Sequence, residues 1–412
     1  MNVAFFTNNY KPFIGGVPIA IDNLANALRK RNHHVHIFAP DYGEPVEGET
    51  DVIRTWSIRN FNDSQFALPI PLALDTYLAF NDVKADMVHV HHPFLLGMSG
   101  LNAARAEKVP CVFTYHTQYE KYIHYLPWGG DMIQEMTANI ATRFANSCDA
   151  VIAPSTDIRT MLQERGVDIP IRVIPTGVDL ARFRGGNRTA FKAKLGLKDS
   201  DLVMLFVSRL AKEKNIGFLL KAFEFLAEQF PNLHFAIVGS GDEESALKQE
   251  AAASHAAGRI LFTGVLTGRD LLNAYKGSDF FAFSSHSETQ GMVVLEAMAG
   301  GCPVVALDAP GVRDVIQNGQ NGFLIQNNDL EAFCQAAKEL AGNKDLRDRL
   351  GQGALQRAKE MSLAQTARHV ESLYRYATAH QHPDRVERFI IAREFLKYQF
   401  NKISALVTGL IA

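Results

Sequence analysis

The sequence predicts an α/β protein of two doubly wound domains that face each other across a cleft. Two observations carry that expectation. Short apolar runs of strand length alternate with stretches of helical spacing along most of the chain, the pattern of a parallel sheet covered by helices on both faces. The alternation then breaks at an Asp/Arg/Gly-rich passage, Asp179 to Asn187, and restarts after a short helix. A chain of 412 residues is long enough for two separate cores.

The elements follow in order. NVAFFT reads as the first strand, then a loop carrying Gly15 and Gly16, then an amphipathic helix from about Val17 to Arg31. HHVHIFA, DVIRTW, DMVHVHH, PCVFTYH, DAVIAPS and IRVIPTG supply the remaining strands of the first half. DLVMLFVSR, NLHFAIVGSGD, RILFTGVL, DFFAFSS, CPVVAL and GFLIQ supply those of the second, and from about Asp329 the chain reads as helical to its end. The expected domains are residues 1–178, residues 179–379 and a last helix, 380–412, that returns to the first domain or meets a membrane. The halves share a style but no repeated sequence.

Composition bounds the function. Hydrophobic residues make up 47% and charged residues 21%, ordinary for a globular protein, and the net charge of −2 gives no global field for nucleic acid. The four cysteines, Cys111, Cys148, Cys302 and Cys334, are far apart in apolar surroundings, so buried thiols in a reducing cytosol are expected. MNVAFFTNNY lacks the basic start and long apolar core of a signal peptide, and no apolar run reaches membrane-spanning length. A cytoplasmic protein is expected, with peripheral attachment to the inner face of the cell membrane left open.

The stretch with the most chemistry is SSHSETQGMVVLEAMAGGCPVVA, Ser284 to Ala306. It joins two buried strands through a helix that ends at Gly300 and Gly301. Glu288 falls just before that helix and Glu296 inside it. If the helix ran through both, they would lie within roughly 80° of each other, facing one cleft. Carboxylates suit sugar hydroxyls, and a helix start suits phosphate. The bland alternative makes both glutamates solvated charges, but Glu296 is the only charged residue between Gln290 and Leu307, and a lone carboxylate there needs a partner or a ligand.

Other polar groups sit at strand ends. Gly15 and Gly16 follow the first strand, where backbone amides can approach an anion or simply make a tight turn; the G-x-G-x-x-G spacing is absent. Arg209 and Lys214, in SRLAKEKN, could neutralise a diphosphate or be solvated loop cations. Gly239 and Gly241, in GSGD, follow another strand, with Asp242 expected to cap the next helix, and Gly264 lies similarly. HVHH, His89 to His92, resembles a metal cluster but has no Cys or carboxylate at ligand spacing, so a strand-end role is preferred. His116 ends a buried strand ahead of Tyr119, Tyr122 and Tyr125, and is either a site residue or a hydrogen-bonded structural histidine.

Together these motifs resemble the family-four retaining glycosyltransferases of the GT-B fold, two Rossmann-like domains. Glu288 to Glu296 is similar to that family's E-x7-E motif, and SRLAKEKN to its R-x4-K phosphate loop. IPTGVDLARF is similar to its interdomain segment, GSGD and FTG to its nucleotide-binding turns. Where many members carry E-G-F/x-G, this chain has ETQG; with TYHTQYEKYIHYLP it looks most like the bacterial diacylglycerol α-glucosyltransferases. The resemblance implies a nucleotide-sugar donor, UDP-glucose, and a lipid acceptor such as 1,2-diacylglycerol, with no cofactor and no metal. It implies that Arg209 and Lys214 meet the leaving diphosphate. Thr289, Gln290, Gly291, Met292 and Val293 would offer backbone amides, Glu288 would bind sugar hydroxyls, Glu296 the ribose, Gly16 the phosphates and His116 the transferred sugar.

Alternatives remain open: transfer of mannose or another hexose to an inositol lipid, polysaccharide or small metabolite, a GT-B-type epimerase or phosphorylase, or a non-catalytic sensor. Arg385 to Ile411 carries an apolar stripe at Phe389, Leu396, Phe400, Ile403, Val407 and Leu410, punctuated by basic residues. Its part from about Lys397 on is expected to face an anionic membrane, and its first part to pack back on the first domain.

Overall fold

Among the described residues fifteen short strands, most of them rich in apolar residues, set the architecture, because such runs are stable only when both faces are covered. The computed structural model describes residues 1–13, 15–43, 46, 48–61, 66–70, 74–119, 131–286 and 288–381. These form two compact units. One comprises Met1–Ile152, Met161–Arg172 and the chain from Val370 on; the other comprises Ala153–Thr160 and Val173–His369. The expected break at 178/179 thus falls a few residues after the division at Arg172/Val173, and the last segment rejoins the first unit at Val370, not at 380.

The strands of the first unit are β1 (Asn2–Phe6), β2 (His34–Pro40), β3 (Val52–Thr55), β4 (Ser57–Ile58), β5 (Leu68–Pro69), β6 (Met87–Val90), β7 (Cys111–Thr114), β8 (Ala150–Ala153) and β9 (Ile171–Val173). Seven of them make a sheet in the order β3-β2-β1-β6-β7-β8-β9, with parallel pairing along β3 to β8. The antiparallel pair β4 and β5 escapes sequence reading because two residues per strand carry no periodicity. The helix Gly16–Arg29 buries Ile21, Leu24, Ala25 and Leu28, the stripe expected of it.

The second unit repeats the plan with β10 (Leu202–Val207), β11 (Leu233–Val238), β12 (Ile260–Gly264), β13 (Phe280–Phe283), β14 (Val304–Leu307) and β15 (Gly322–Ile325), in the order β12-β11-β10-β13-β14-β15, all parallel. Strand order reverses between β1 and β6 in one sheet and between β10 and β13 in the other. At such a switch the connections leave in opposite directions and open a crevice beyond the strands' carboxyl ends. That fact selects the loops after β1, β6, β10 and β13.

The helix Leu363–Ala379 begins in the second unit, and its part from Val370 belongs to the first. The Tyr374 hydroxyl, fully buried, shares a 2.6 Å hydrogen bond with His89 Nδ1, Glu371 pairs with Arg31, and Gln381 donates to the Lys108 carbonyl. Of the segment 380–412 for which a return was expected, residues 382–412 lie outside the described residues. The apolar stripe beyond Arg385 and its basic residues lie outside the described residues, as do Tyr122 and Tyr125.

In the second unit a buried ion pair ties a flanking helix to β10. Lys192 and Asp279 are 4% and 6% exposed, with Nζ to Oδ2 at 3.2 Å. Nζ also donates to the carbonyls of Asp201 (2.5 Å) and Asp199 (3.3 Å), and Asp279 accepts from the Val203 amide at 2.9 Å. Arg188, itself exposed, also reaches Asp279 Oδ1 at 3.3 Å, so removing Lys192 leaves the buried carboxylate with only that surface cation and the Val203 amide. Lys192→Met should cost about 3 kcal/mol of stability, read as a lower urea midpoint at unchanged slope. A midpoint equal to that of the parent would show the pair to be dispensable.

Candidate functional site

Two loops meet beyond the second sheet's switch point, one leaving β10 and one leaving β13. The first carries Arg209 and ends in a 3-10 turn, Lys212–Lys214, closed by Asn215 in the left-handed region at φ 53°. The second runs from Ser284 to Gly291. They are stitched together. Ser284 Oγ donates to the carbonyls of Lys214 (2.9 Å) and Asn215 (3.0 Å), and the His286 amide donates to the Glu213 carbonyl at 3.0 Å.

Across this seam Lys214 Nζ meets Glu288 Oε1 at 2.6 Å, with both side chains mostly covered at 14% and 16% exposure. Arg209 reaches Glu213 Oε1 at 2.7 Å, and this pair is much more open. The sequence foresaw the cations and the carboxylate but not that Lys214 and Glu288 pair with one another. It also missed Glu213, whose carboxyl is held below its usual range because the backbone and Arg209 bonds outweigh its burial.

The helix after the loop spans Met292–Ala299. The conditional geometry that placed both glutamates on one helix is therefore corrected: Glu288 lies four residues before the first turn. Gly291 is the N-cap at φ 67°, with no side chain capping the helix. The first-turn bonds run from the amides of Val294 and Leu295 to the Gly291 carbonyl. The amides of Gly291, Met292 and Val293 thus have no partner among the described residues, the arrangement that attracts an anion. Thr289 is half-buried. The Gln290 side chain is buried and faces elsewhere, toward Thr176.

Glu296 does find a partner. Tyr275 donates its hydroxyl to Oε2 at 2.8 Å, from the helix Gly268–Gly277. Burial pushes the Glu296 carboxyl above its usual range, opposed by the tyrosine bond and by the charge of Arg182. One oxygen is thus spoken for within the fold. Nothing in the sequence marked Tyr275, an ordinary aromatic in an amphipathic helix.

The glycine turns have a packing role within the fold. At Gly239 (φ 141°) a Cβ would lie 1.8 Å from the Ser208 carbonyl oxygen, and at Gly241 one would lie 2.3 Å from that of Leu210. Both press on the backbone that carries Arg209, and the Leu210 amide bonds the Ser240 carbonyl at 2.9 Å. These glycines position the cation loop. Gly264 (φ 70°) faces open space, its carbonyl accepting from the Gly239 amide. Asp242 does not cap: the N-cap is Glu243, with no side-chain bond.

In the first unit, Gly15 is the N-cap of the helix Gly16–Arg29, also without a side-chain cap, and a Cβ on Gly16 would meet nothing. Beyond the neighbouring strands the histidines form a stack. His89 is bonded on both nitrogens, by Tyr374 and by Thr114 Oγ1 at 2.6 Å. His91 stacks on it with ring centroids 4.3 Å apart, and His91 Nδ1 lies 3.0 Å from His116 Nε2. His91 Nε2 is buried with no partner among the described residues. His92 Nδ1 accepts from the Asn8 amide at 3.2 Å. The strand-end reading of HVHH thus has a hydrogen-bond basis, and His116 is held by His91, a contact the sequence did not predict.

Burial holds all four imidazoles neutral: His116 is pushed down to about 4, His89 and His92 to about 3, and His91 well below its ordinary value. Depressed folded values mean that the unfolded chain binds more protons, so stability is full above the ordinary histidine range and is lost as pH falls. The melting temperature should hold near pH 7.5 and drop progressively from about 6.5 toward 4. His91→Asn should flatten part of that drop. An unchanged acid profile in the variant would remove the stack as its cause.

Comparison with known proteins accords with this layout. The profile of the glycosyltransferase family 4 matches residues 14–182, and that of the glycosyl transferases group 1 matches 187–357. An alpha-monoglucosyldiacylglycerol synthase of Streptococcus pneumoniae is 33% identical over 333 residues, 79% of this chain and 75% of its own. Another, from Acholeplasma laidlawii, is 28% identical over 388 residues, 91% of this chain and 96% of its own. The crystal structure of Anabaena HepE in complex with UDP superposes with a TM-score of 0.72 at 19% identity, covering 90% of this chain and 99% of the other, a likeness of GT-B fold. The chain belongs to the family-four glycosyltransferases.

Proposed function

We propose that the protein is a retaining, metal-independent hexosyltransferase that moves glucose from UDP-glucose to a lipid hydroxyl, such as that of 1,2-diacylglycerol, forming an α-glycosidic bond. The observation that carries the reading is the covered Lys214–Glu288 pair beside the uncapped helix start at Gly291. A cation, a carboxylate and free amides sit together at a switch point, which is what a sugar diphosphate requires. The likeness to two alpha-monoglucosyldiacylglycerol synthases supports the choice of glucose and of a lipid acceptor.

The chemistry follows from the pairing. An arriving diphosphate competes with Glu288 for Lys214, and Arg209 adds a second cation as a fork. Once released, the Glu288 carboxylate can accept hydrogen bonds from sugar hydroxyls. The amides of Gly291, Met292 and Val293 meet phosphate and sugar oxygens. Glu296, with Oε2 held by Tyr275, offers its other oxygen to the ribose. His116, neutral and oriented by His91, is assigned to the transferred sugar. The acceptor oxygen attacks the anomeric carbon on the face the diphosphate leaves, that bond breaks, and the leaving phosphate oxygen takes the hydroxyl proton. Fixed positive charge at the leaving group then supplies the main acceleration.

Among the described residues no helix is long and apolar enough to cross a membrane. A lipid acceptor calls for peripheral contact, assigned here to the anionic inner face of the cell membrane. Flotation with anionic vesicles at low and at high salt reads that contact directly, and failure to float at low salt would remove it.

The decisive experiment supplies labelled UDP-glucose, UDP-galactose or GDP-mannose with diacylglycerol-containing anionic vesicles in excess EDTA, followed by chromatography of the lipids. A labelled α-glucolipid from UDP-glucose is expected. Label from GDP-mannose only, or a strict divalent requirement, would overturn the substrate or the metal-free assignment.

Lys214→Ala and Arg209→Ala should each lower kcat about a hundredfold, the loss of roughly 3 kcal/mol of leaving-group stabilisation. Melting temperatures should move far less in the exposed Arg209 variant than in that of Lys214, whose loss leaves Glu288 unpaired. Near-parental turnover in both would sink the diphosphate assignment.

A further inference from the structure

The side chain of Gln290 pairs with both backbone groups of a single residue, Thr176. Its Oε1 accepts from the Thr176 amide at 2.6 Å, and its Nε2 donates to the Thr176 carbonyl at 2.7 Å. The residue is 3% exposed. This is the reciprocal pairing one residue makes with another across an antiparallel ladder, made here by a side-chain amide.

Both ends of the link are anchored. On the far side Thr366 Oγ1 donates to the Pro175 carbonyl at 2.8 Å, and a Cβ on Gly177 would lie 2.4 Å from Leu363 Cα. The Val178 amide bonds the Met361 carbonyl, and the Leu363 amide returns to that of Val178. On the near side Gly311 (φ 77°) presses on the Gln290 backbone, where a Cβ would lie 2.5 Å from its amide nitrogen. Between the anchors hang Glu288, two residues before Gln290, and Gly291, the uncapped helix start one residue after it.

We infer that the Gln290 side chain is a positioning residue: its two-bond latch to Thr176 fixes where Glu288 and the amides of Gly291 to Val293 stand when a sugar diphosphate is bound. The inference rests on the reading of this loop as the donor site, and deepens it. Only a side chain of this length with one donor and one acceptor on the same carbon can make the latch. Asparagine is a methylene too short. A carboxylate can accept from the Thr176 amide but opposes its carbonyl, whereas a protonated carboxyl restores both bonds.

That asymmetry supplies the test. Gln290→Met keeps length and burial and removes both bonds, and should lower kcat with UDP-glucose tenfold or more. Gln290→Glu should be comparably impaired at pH 8 and recover at least threefold, relative to the parent at each pH, by pH 6. Charged groups nearby are Glu288, paired with Lys214, and Asp157, which accepts from the Gly311 amide and from Arg313. Referring each rate to the parent at the same pH cancels their titration, and Gln290→Met should give a flat ratio.

Deuterium uptake over residues 288–294 of the ligand-free protein is the second readout, expected to be faster in Gln290→Met. Full kcat in Gln290→Met, or a pH-independent ratio in Gln290→Glu, would overturn the inference. If the parent transfers no sugar from any donor, the functional reading falls. The latch is then judged by exchange alone, unchanged uptake overturning it and faster uptake sustaining it.

Discussion

The Lys214–Glu288 pair is the interaction on which the second unit's site depends. It joins two loops that are far apart in sequence and adjacent only because strand order reverses between β10 and β13. At 2.6 Å and largely covered, the pair stands between a surface bridge worth little and a buried one that is costly to break. A site built this way keeps its cation and its carboxylate neutral toward each other until a ligand with stronger charge arrives. A diphosphate can take Lys214 without leaving Glu288 uncompensated if sugar hydroxyls then donate to it. Binding of the two halves of a sugar nucleotide would thus be coupled through a single exchange of partners.

Close backbone approach does the rest of the positioning. Gly239 and Gly241 allow the turn after β11 to lie against Ser208 and Leu210, and Gly311 does the same for Gln290. Helices beginning at Leu180, Arg188, Leu330 and Lys344 are capped by the side chains of Asp179, Asn187, Asp329 and Asn343. Those beginning beside the switch points, after Gly15, Leu95, Asn215 and Gly291, have no side-chain cap, and neither do those after Glu243 and Thr267, which follow β11 and β12. A cap answers the first-turn amides internally and stabilises the helix by about 1 kcal/mol. Forgoing it leaves those amides to water or to a ligand.

The strands of the two large sheets were legible because parallel strands are apolar runs bounded by polar residues, and so was the helix Met292–Ala299 ahead of its glycine stop signal. What the sequence could not give is partnership across long separations. Tyr275 to Glu296, His91 to His116 and Thr176 to Gln290 each join elements whose proximity is a property of the sheet order. Individually these residues look like core aromatics, strand-end polar groups and loop amides. The sequence did mark Glu296 as a carboxylate needing an answer, and the fold answers it with a tyrosine. The tiny pair β4 and β5 was hidden for the opposite reason: too little chain to carry a period.

The histidine stack shows how far such partnerships reach. His89 has a hydroxyl on each nitrogen, Tyr374 on Nδ1 and Thr114 on Nε2. A neutral imidazole has one donor and one acceptor nitrogen, so one hydroxyl must donate to it and the other accept. Whichever tautomer is chosen, the proton order runs from the returning helix through β6 to β7. His91 and His116 face the same arithmetic, since two neutral rings can share one hydrogen bond only if one nitrogen carries the proton and the other does not. With His91 Nε2 buried and without a partner among the described residues, placing the proton on Nδ1 leaves an acceptor unanswered there, and placing it on Nε2 leaves a donor unanswered. A buried unmet donor and a buried unmet acceptor each carry a desolvation penalty of order 1–3 kcal/mol, so neither choice is strongly preferred on that ground. The bond to His116 then decides, and whatever binds the other nitrogen of His116 sets the proton position in the pair.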